Sequence, residues 1–133
     1  MRMKKTYLIV LVVVAILLAW FFIRFILGGN EDSWIKDERG VYVKHGNPST
    51  TPENVLAQQE AINCALDLYQ QEKAKTELNS QCLGSCGDYA VDIVHVPRTS
   101  EDNLAENQCQ DYRQGKVSQF IELNKQGEIV QIK

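Results

Sequence analysis

The sequence predicts an α+β protein: an N-terminal transmembrane helix followed by a small exported domain with one long helix packed on an antiparallel sheet. Three observations carry this. Tyr7 to Ile23 is a run of seventeen residues without a charge or strongly polar side chain. Thr51-Pro52-Glu53 then opens a stretch whose apolar residues recur at helical spacing, and Asp88 to Val96 and Lys116 to Ile132 have strand composition bounded by turn residues.

Counted on through Arg24 to Leu27, the first run gives 21 residues, which is about 31 Å of helix and matches the hydrocarbon thickness of a bilayer. A buried core helix would need a larger domain around it than the rest of the chain supplies. A cleaved secretory signal has a shorter apolar run and small residues at its end; here Trp20-Phe21-Phe22-Ile23-Arg24-Phe25 stands in that place, and Leu27-Gly28-Gly29 is a mediocre cleavage site. The expectation is an uncleaved anchor, with Trp20, Phe22 and Arg24 at the membrane interface: aromatic rings collect there, and Arg24 can extend its guanidinium to the headgroups.

Arg2, Lys4 and Lys5 precede the run and Asn30-Glu31-Asp32 follow it, and basic residues stay on the cytoplasmic side. Residues 1–6 are therefore expected as a cytoplasmic tail, 7–27 as a signal-anchor helix, 28–32 as a tether and 33–133 as an extracytoplasmic domain. All 17 acidic residues lie beyond residue 30, against ten Lys and Arg beyond residue 27. The exported part is thus acidic and poorly suited to nucleic acid, which rewards clustered positive charge. Cys64, Cys82, Cys86 and Cys109 all fall in it, and an even cysteine count in a small exported domain reads as a disulfide framework. Three connectivities are open: Cys82 and Cys86 close a small ring, or each reaches another element.

In chain order, Ser33 to Asp37 and Val41 to His45 read as two strands around Glu38-Arg39-Gly40, with Trp34 and Tyr42 pairing across them or packing on the next helix. Thr51 is a candidate cap, Pro52 a first-turn residue and Glu53 a complement to the positive helix end. That helix is expected to run to about Leu78, with Val55, Ile62, Ala65, Leu66 and Tyr69 as the stripe facing the sheet and Cys64 on the other side, tied to the Cys82–Cys86 loop. Asn79-Ser80-Gln81 and Gly84-Ser85-Cys86-Gly87 read as a long turn. Asp88 to Val96 has apolar residues on both faces and so reads as a central strand, ended by Pro97. His95 is expected at its rim with one hydrogen bond. A short helix from about Glu101 to Arg113, closed by Gly115, carries Cys109. The last stretch reads as a hairpin in which Asn124 to Gly127 forms a type I turn with glycine in the left-handed position.

Catalytic patterns are missing from the sequence. Cys82-Leu-Gly-Ser-Cys86 has three intervening residues where the thioredoxin-type motif has two. A zinc site would need paired knuckles or nearby histidines, whereas His45 and His95 stand far apart. Ser85 lacks the first glycine of a Gly-x-Ser-x-Gly elbow, and Asp88, Asp92, Glu101 and Asp102 form no specific constellation. No cofactor is expected.

Glu31-Asp-Ser-Trp-Ile and Val43-Lys-His-Gly-Asn-Pro-Ser49 together resemble a group of short, anchored, uncharacterised proteins of small-genome archaea and candidate-phylum bacteria. In that group a span is followed by a Glu-Asp-x-Trp-Ile segment and a Lys-His-Gly-x-Pro-Ser box. The resemblance covers the anchor and about residues 31 to 49, and it implies an exported single-pass protein with no known activity. Many members of that group carry a cysteine after Trp-Ile where this chain has Lys36, so any disulfide involving that position is missing. The sequence-level expectation is a non-catalytic, membrane-tethered module whose partners are the lipid bilayer and an envelope protein. The alternatives are a pilin-like filament subunit, whose leader glycine and early helix glutamate are absent from Met1 to Val14, and a thiol-disulfide enzyme using Cys82 and Cys86.

Overall fold

The computed structural model describes residues 2–25, 32–75 and 80–133. The chain divides into two compact units, one comprising the residues up to Ser33 with Lys44–Ser49, the other Trp34–Val43 with Thr50–Lys133. In the first unit, α1 spans Arg2–Phe25, about 36 Å at about 1.5 Å per residue. The side chains of its Lys4–Phe25 stretch are exposed, and that stretch is long and apolar enough to cross a membrane or to be a signal sequence. Residues 26–27 of the expected span and most of the tether lie outside the described residues.

Strand β1 (Ser33–Lys36) pairs with β2 (Tyr42–His45) as a two-stranded sheet, as the two segments around Glu38-Arg39-Gly40 predict. Its turn is held by Asp37, whose carboxylate accepts from the amides of Arg39 and Val41 and from the Arg39 guanidinium. Helix α2 spans Glu53–Ala74. Its cap differs from expectation: Pro52, in extended backbone, is the cap residue and no side chain bonds the first turn. Instead the Pro52 carbonyl accepts from the amides of Val55 and Leu56, leaving Thr51 outside the helix. At the other end Lys75 turns to extended backbone, so the helix stops before the expected Leu78, which itself lies outside the described residues.

The main sheet has the order β3 (Cys82–Cys86), β4 (Tyr89–Ile93), β5 (Gln119–Leu123), β6 (Ile129–Ile132). The α+β class holds, but the sheet is mixed: β3–β4 and β5–β6 are antiparallel and β4–β5 is parallel. Parallel neighbours cannot be joined by a tight turn and need a crossover of a dozen or more residues. Residues 94–118 are that crossover. The expected single helix from Glu101 to Arg113 is broken into two 3-10 turns, Glu101–Asn103 and Ala105–Asn107, and a short α3, Gln110–Arg113. Leu104 and Gln108 are extended, and the Asn107 side chain donates to the Glu101 carbonyl, a local bond of the kind that competes with helix.

The predicted long turn at Gly84–Gly87 is instead strand β3 followed by the two-residue turn Gly87-Asp88. Gly87, with φ +59°, supplies the left-handed first position that such hairpins require. Strand β4 is buried along its whole length, as its two apolar faces predict. Tyr89, Val91 and Ile93 join Ala61, Ala65, Tyr69, Ile121 and Leu123 in the core under α2, while Ala90 packs with Cys109 and Val117 beneath the crossover. The closing hairpin matches the expectation: Gly127 has φ +83°, and a Cβ there would overlap the Tyr69 ring.

The buried residues of α2 are Val55, Gln58, Ala61, Ala65 and Tyr69; Ile62 and Leu66 lie half-buried on the flank. The stripe is thus rotated from the expected one, and Cys64 sits at its edge rather than behind the helix. Gln58 is 1% exposed. Its Oε1 accepts the Tyr42 amide at 2.8 Å and its Nε2 donates to the Gly40 carbonyl at 2.9 Å, so one helix side chain holds the turn end of the small hairpin. Gln58→Leu leaves both backbone groups without that partner and is expected to cost about 2–4 kcal/mol, since each buried unsatisfied group costs about 1–3 kcal/mol. A urea midpoint unchanged from the parent would contradict this.

Candidate functional site: a buried acidic cluster beside a disulfide

Cys64 pairs with Cys86 and Cys82 with Cys109. The first bridge ties α2 to β3, and the second ties β3 to the crossover just before α3. Cysteines four apart on a regular strand would face the same side. The register shift between Cys82 and Gly84 breaks that parity: Cys86 lies opposite Tyr89, on the α2 face, and Cys82 opposite Asp92, on the crossover face. An extra residue in one strand reverses the side-chain faces beyond it. Cys82 and Cys86, the pair of the thiol-disulfide alternative, are therefore split between two bridges.

The parallel register of β4 and β5 places Asp92 beside Glu122. Both share the crossover face, at 8% and 5% exposure. Arg98, descending from the crossover, donates from Nη1 to Glu122 Oε1 at 2.6 Å and from Nε to Asn103 Oδ1 at 2.9 Å. Glu122 Oε2 is buried and has no partner among the described residues. Asp92 Oδ1 lies 3.0 Å from Cys109 Sγ. Burial first, and the neighbouring Glu122 charge second, push the Asp92 carboxyl up to about 6, against the opposing pull of the Cys109 amide and Arg98.

A second acid anchors the crossover. Asp102 is 1% exposed and accepts from the Thr99 amide at 2.7 Å, the Thr99 hydroxyl at 3.2 Å and the His95 amide. His95 Nδ1 is 2.9 Å from Asp102 Oδ1. Burial raises the Asp102 carboxyl, but the Thr99 amide and His95 outweigh it and hold it below the usual range. The His95 side chain is 37% exposed, two residues past the end of β4 rather than on the expected strand, and it borders a pocket of about 290 Å³ shared with Gln81, Asn107 and Lys125. Ser85, the other hydroxyl weighed from sequence, donates to Asp111 and forms no dyad with His95.

Of the four carboxylates that the sequence left as an unspecific group, Asp92 and Asp102 lie in this region, joined by Glu122. Asp88 lies at the opposite strand end, bonded to Ser118, and Glu101 is exposed. The signal for the pair is visible in retrospect as Val91-Asp92-Ile93 and Ile121-Glu122-Leu123: single acids inside apolar strand runs. Cys82, Asp92 and Cys109 bring two sulfurs and a carboxyl oxygen within 4.8 Å of one another. Bridged sulfurs do not present the thiolate that a metal takes, so this trio is a disulfide with an acid against it. The expected interface residues Trp20, Phe22 and Arg24 lie on the last turns of α1, all exposed. A larger groove, of about 450 Å³, runs past the other bridge between Lys36, Tyr42, Glu60, Asp88 and Gln119.

Fold and site together define a doubly bridged α+β unit in a chain that begins with a helix fit to cross a membrane. Compared with protein-family models, curated proteins and solved structures, the chain finds no match.

Proposed function

We propose that this protein is a single-pass membrane protein, its residues 1–6 cytoplasmic and its residues 33–133 displayed outside as a non-catalytic, disulfide-bridged module that engages another envelope protein. The observation that carries the reading is α1, whose apolar side chains are exposed along the whole Lys4–Phe25 stretch. Burying apolar surface is worth about 25 cal/mol per Å², so a helix left bare in this way belongs in lipid. Two bridges formed from all four cysteines suit an oxidising compartment, and the basic residues before α1 suit a cytoplasmic start. The resemblance of residues 31–49 to anchored exported proteins points the same way. On this reading the groove beside Tyr42 and Asp88 offers the acidic exterior a place for a partner of complementary charge.

The test is membrane fractionation of expressing cells, with a membrane-impermeant maleimide applied to intact cells with and without reductant. The protein is expected in the alkali-resistant membrane fraction, labelled from outside only after reduction. Four thiols labelled without reductant would defeat the oxidised, exported placement. A soluble form whose N-terminus begins beyond residue 25 would replace the anchor with a cleaved signal.

A further inference from the structure

The two bridges differ in their surroundings, and the difference is chemical. Among the described residues, the polar contacts to bridge sulfur all fall on Cys109: the carbonyls of Gly84 and Val91 at 3.6 and 3.5 Å, and Asp92 Oδ1 at 3.0 Å. A bridged sulfur carries no hydrogen, so the only proton this short contact can hold is the carboxyl's own. Cys109 is 1% exposed, whereas Cys82 is only partly buried. Cys82 is thus the more exposed residue of this bridge, and Cys109 is enclosed against an acid.

We propose that Cys82–Cys109 is a site of thiol-disulfide exchange with dithiol reductants, in which Cys82 is the sulfur attacked, Cys109 the sulfur that leaves, and the Asp92 carboxyl the group that hands the leaving sulfur its proton. The exchange goes beyond the structural role that the module reading gives both bridges, and it does not depend on the anchor. A thiolate of the dithiol attacks Cys82 Sγ; a new S–S bond forms there, the Cys82–Cys109 bond breaks, and its electron pair passes to Cys109 Sγ. Asp92 O–H gives its proton to that sulfur and becomes a carboxylate. The dithiol's second sulfur, as thiolate, then attacks its own bound sulfur, closing the reductant's disulfide and releasing Cys82 as a thiolate that takes a proton from water. The dithiol is oxidised and the bridge is reduced to two thiols; the ionised Asp92 recovers its proton from solvent. In the reverse direction the Asp92 carboxylate is the base that takes the Cys109 proton.

A thiolate expelled into an enclosed site cannot be solvated by water, so protonation from a group already in contact lowers the barrier to its departure. The charged groups facing Asp92 are Glu122 on β5 and Arg98 on the crossover, with the Cys109 amide alongside. Burial first, and the Glu122 charge second, keep the proton on Asp92 at mildly acidic pH. Cys64–Cys86 has no such donor among the described residues and serves as the internal control.

The experiment uses the full chain in detergent micelles with limiting dithiothreitol between pH 4.5 and 8. Alkylation quenches the reaction, peptide mapping reads each bridge separately, and rates are divided by the concentration of reductant thiolate. With the Asp92 carboxyl near pH 6, the normalised rate at Cys82–Cys109 is expected to fall about tenfold from pH 5 to pH 7 as the donor ionises, while that of Cys64–Cys86 stays flat. Asp92→Asn is expected to flatten the Cys82–Cys109 profile. Glu122→Gln removes a charge that raises the carboxyl and is expected to move the inflection to lower pH, so it carries the test if the asparagine variant does not fold. With glutathione, the trapped mixed disulfide is expected on Cys82. A flat profile in the parent protein, an inflection that survives Asp92→Asn or stays in place in Glu122→Gln, or a glutathione adduct on Cys109 would each overturn the proposal.

Discussion

Replacing both Cys64 and Cys86 by alanine is expected to lower the unfolding free energy of the bridged unit by about 3 kcal/mol, and replacing Cys82 and Cys109 by slightly more. The bridges join residues separated by 22 and 27 positions. Loops of that size remove chain entropy from the unfolded state worth about 3.4 and 3.6 kcal/mol at room temperature. The two loops interlace, because Cys82 lies between Cys64 and Cys86, so closing one already restricts the other and the losses do not add. Even so, removal of both takes away a large share of the 5–15 kcal/mol that a domain has in total. The doubly bridge-free chain is expected to lose its cooperative transition. Urea unfolding of the full chain in detergent, followed through the near-ultraviolet signal of the buried Tyr69 and Tyr89, checks this without interference from the persistently helical α1. A loss under 1 kcal/mol for either single pair would show that the native state gains nothing from that bridge beyond what packing already secures.

What the sequence revealed and what it hid divide along the range of the interactions. The closing hairpin, the start of α2 and the burial of β4 are each set by residues close in sequence: Asn124 to Gly127 dictate a turn, Pro52 and Glu53 a helix end, and apolar residues on both faces of Tyr89 to Ile93 a covered strand. Cysteine parity likewise gives the number of bridges. The parallel pairing of β4 with β5 is a decision taken across residues 94–118, and no local pattern specifies it. Once it is made, the rest of the site follows: the crossover must lie on one face of the sheet, Cys109 comes to Cys82, and Asp92 comes to Glu122. The bulge at Cys82–Gly84 is similarly silent in sequence yet decides which cysteine faces which layer. Gln58 was hidden for another reason. A glutamine in an apolar stripe reads as solvated, and its partners are backbone groups of a hairpin 16 and 18 residues away.

Arg98→Ala is expected to be among the most damaging single substitutions outside the cysteines, at about 3–5 kcal/mol, because it strips the counter-charge from a buried carboxylate. The Glu122 side chain is 6% exposed while Arg98 is 41% exposed, so the acid is the partner that cannot recover its hydration. Its Oε2 already has no partner among the described residues, and Asp92 beside it adds repulsion once ionised. Arg98→Lys is expected to recover only part of the loss. An ammonium can meet Glu122, but it lacks the planar fork that also reaches Asn103 and the Asp102 carbonyl. The decisive comparison is a double substitution. Arg98→Met with Glu122→Leu exchanges the pair for apolar volume, and such replacements of buried pairs are close to neutral or stabilising. If the cost of Arg98→Ala came from lost packing of its aliphatic stem, adding Glu122→Leu to it would make matters worse. If it comes from the stranded charge, the same addition restores most of the stability. Urea midpoints of Arg98→Ala and of Arg98→Ala with Glu122→Leu, taken at neutral pH and at two salt concentrations, separate these causes. An ion pair with both partners exposed weakens with salt, whereas this one, whose acid is 6% exposed, is expected to respond less.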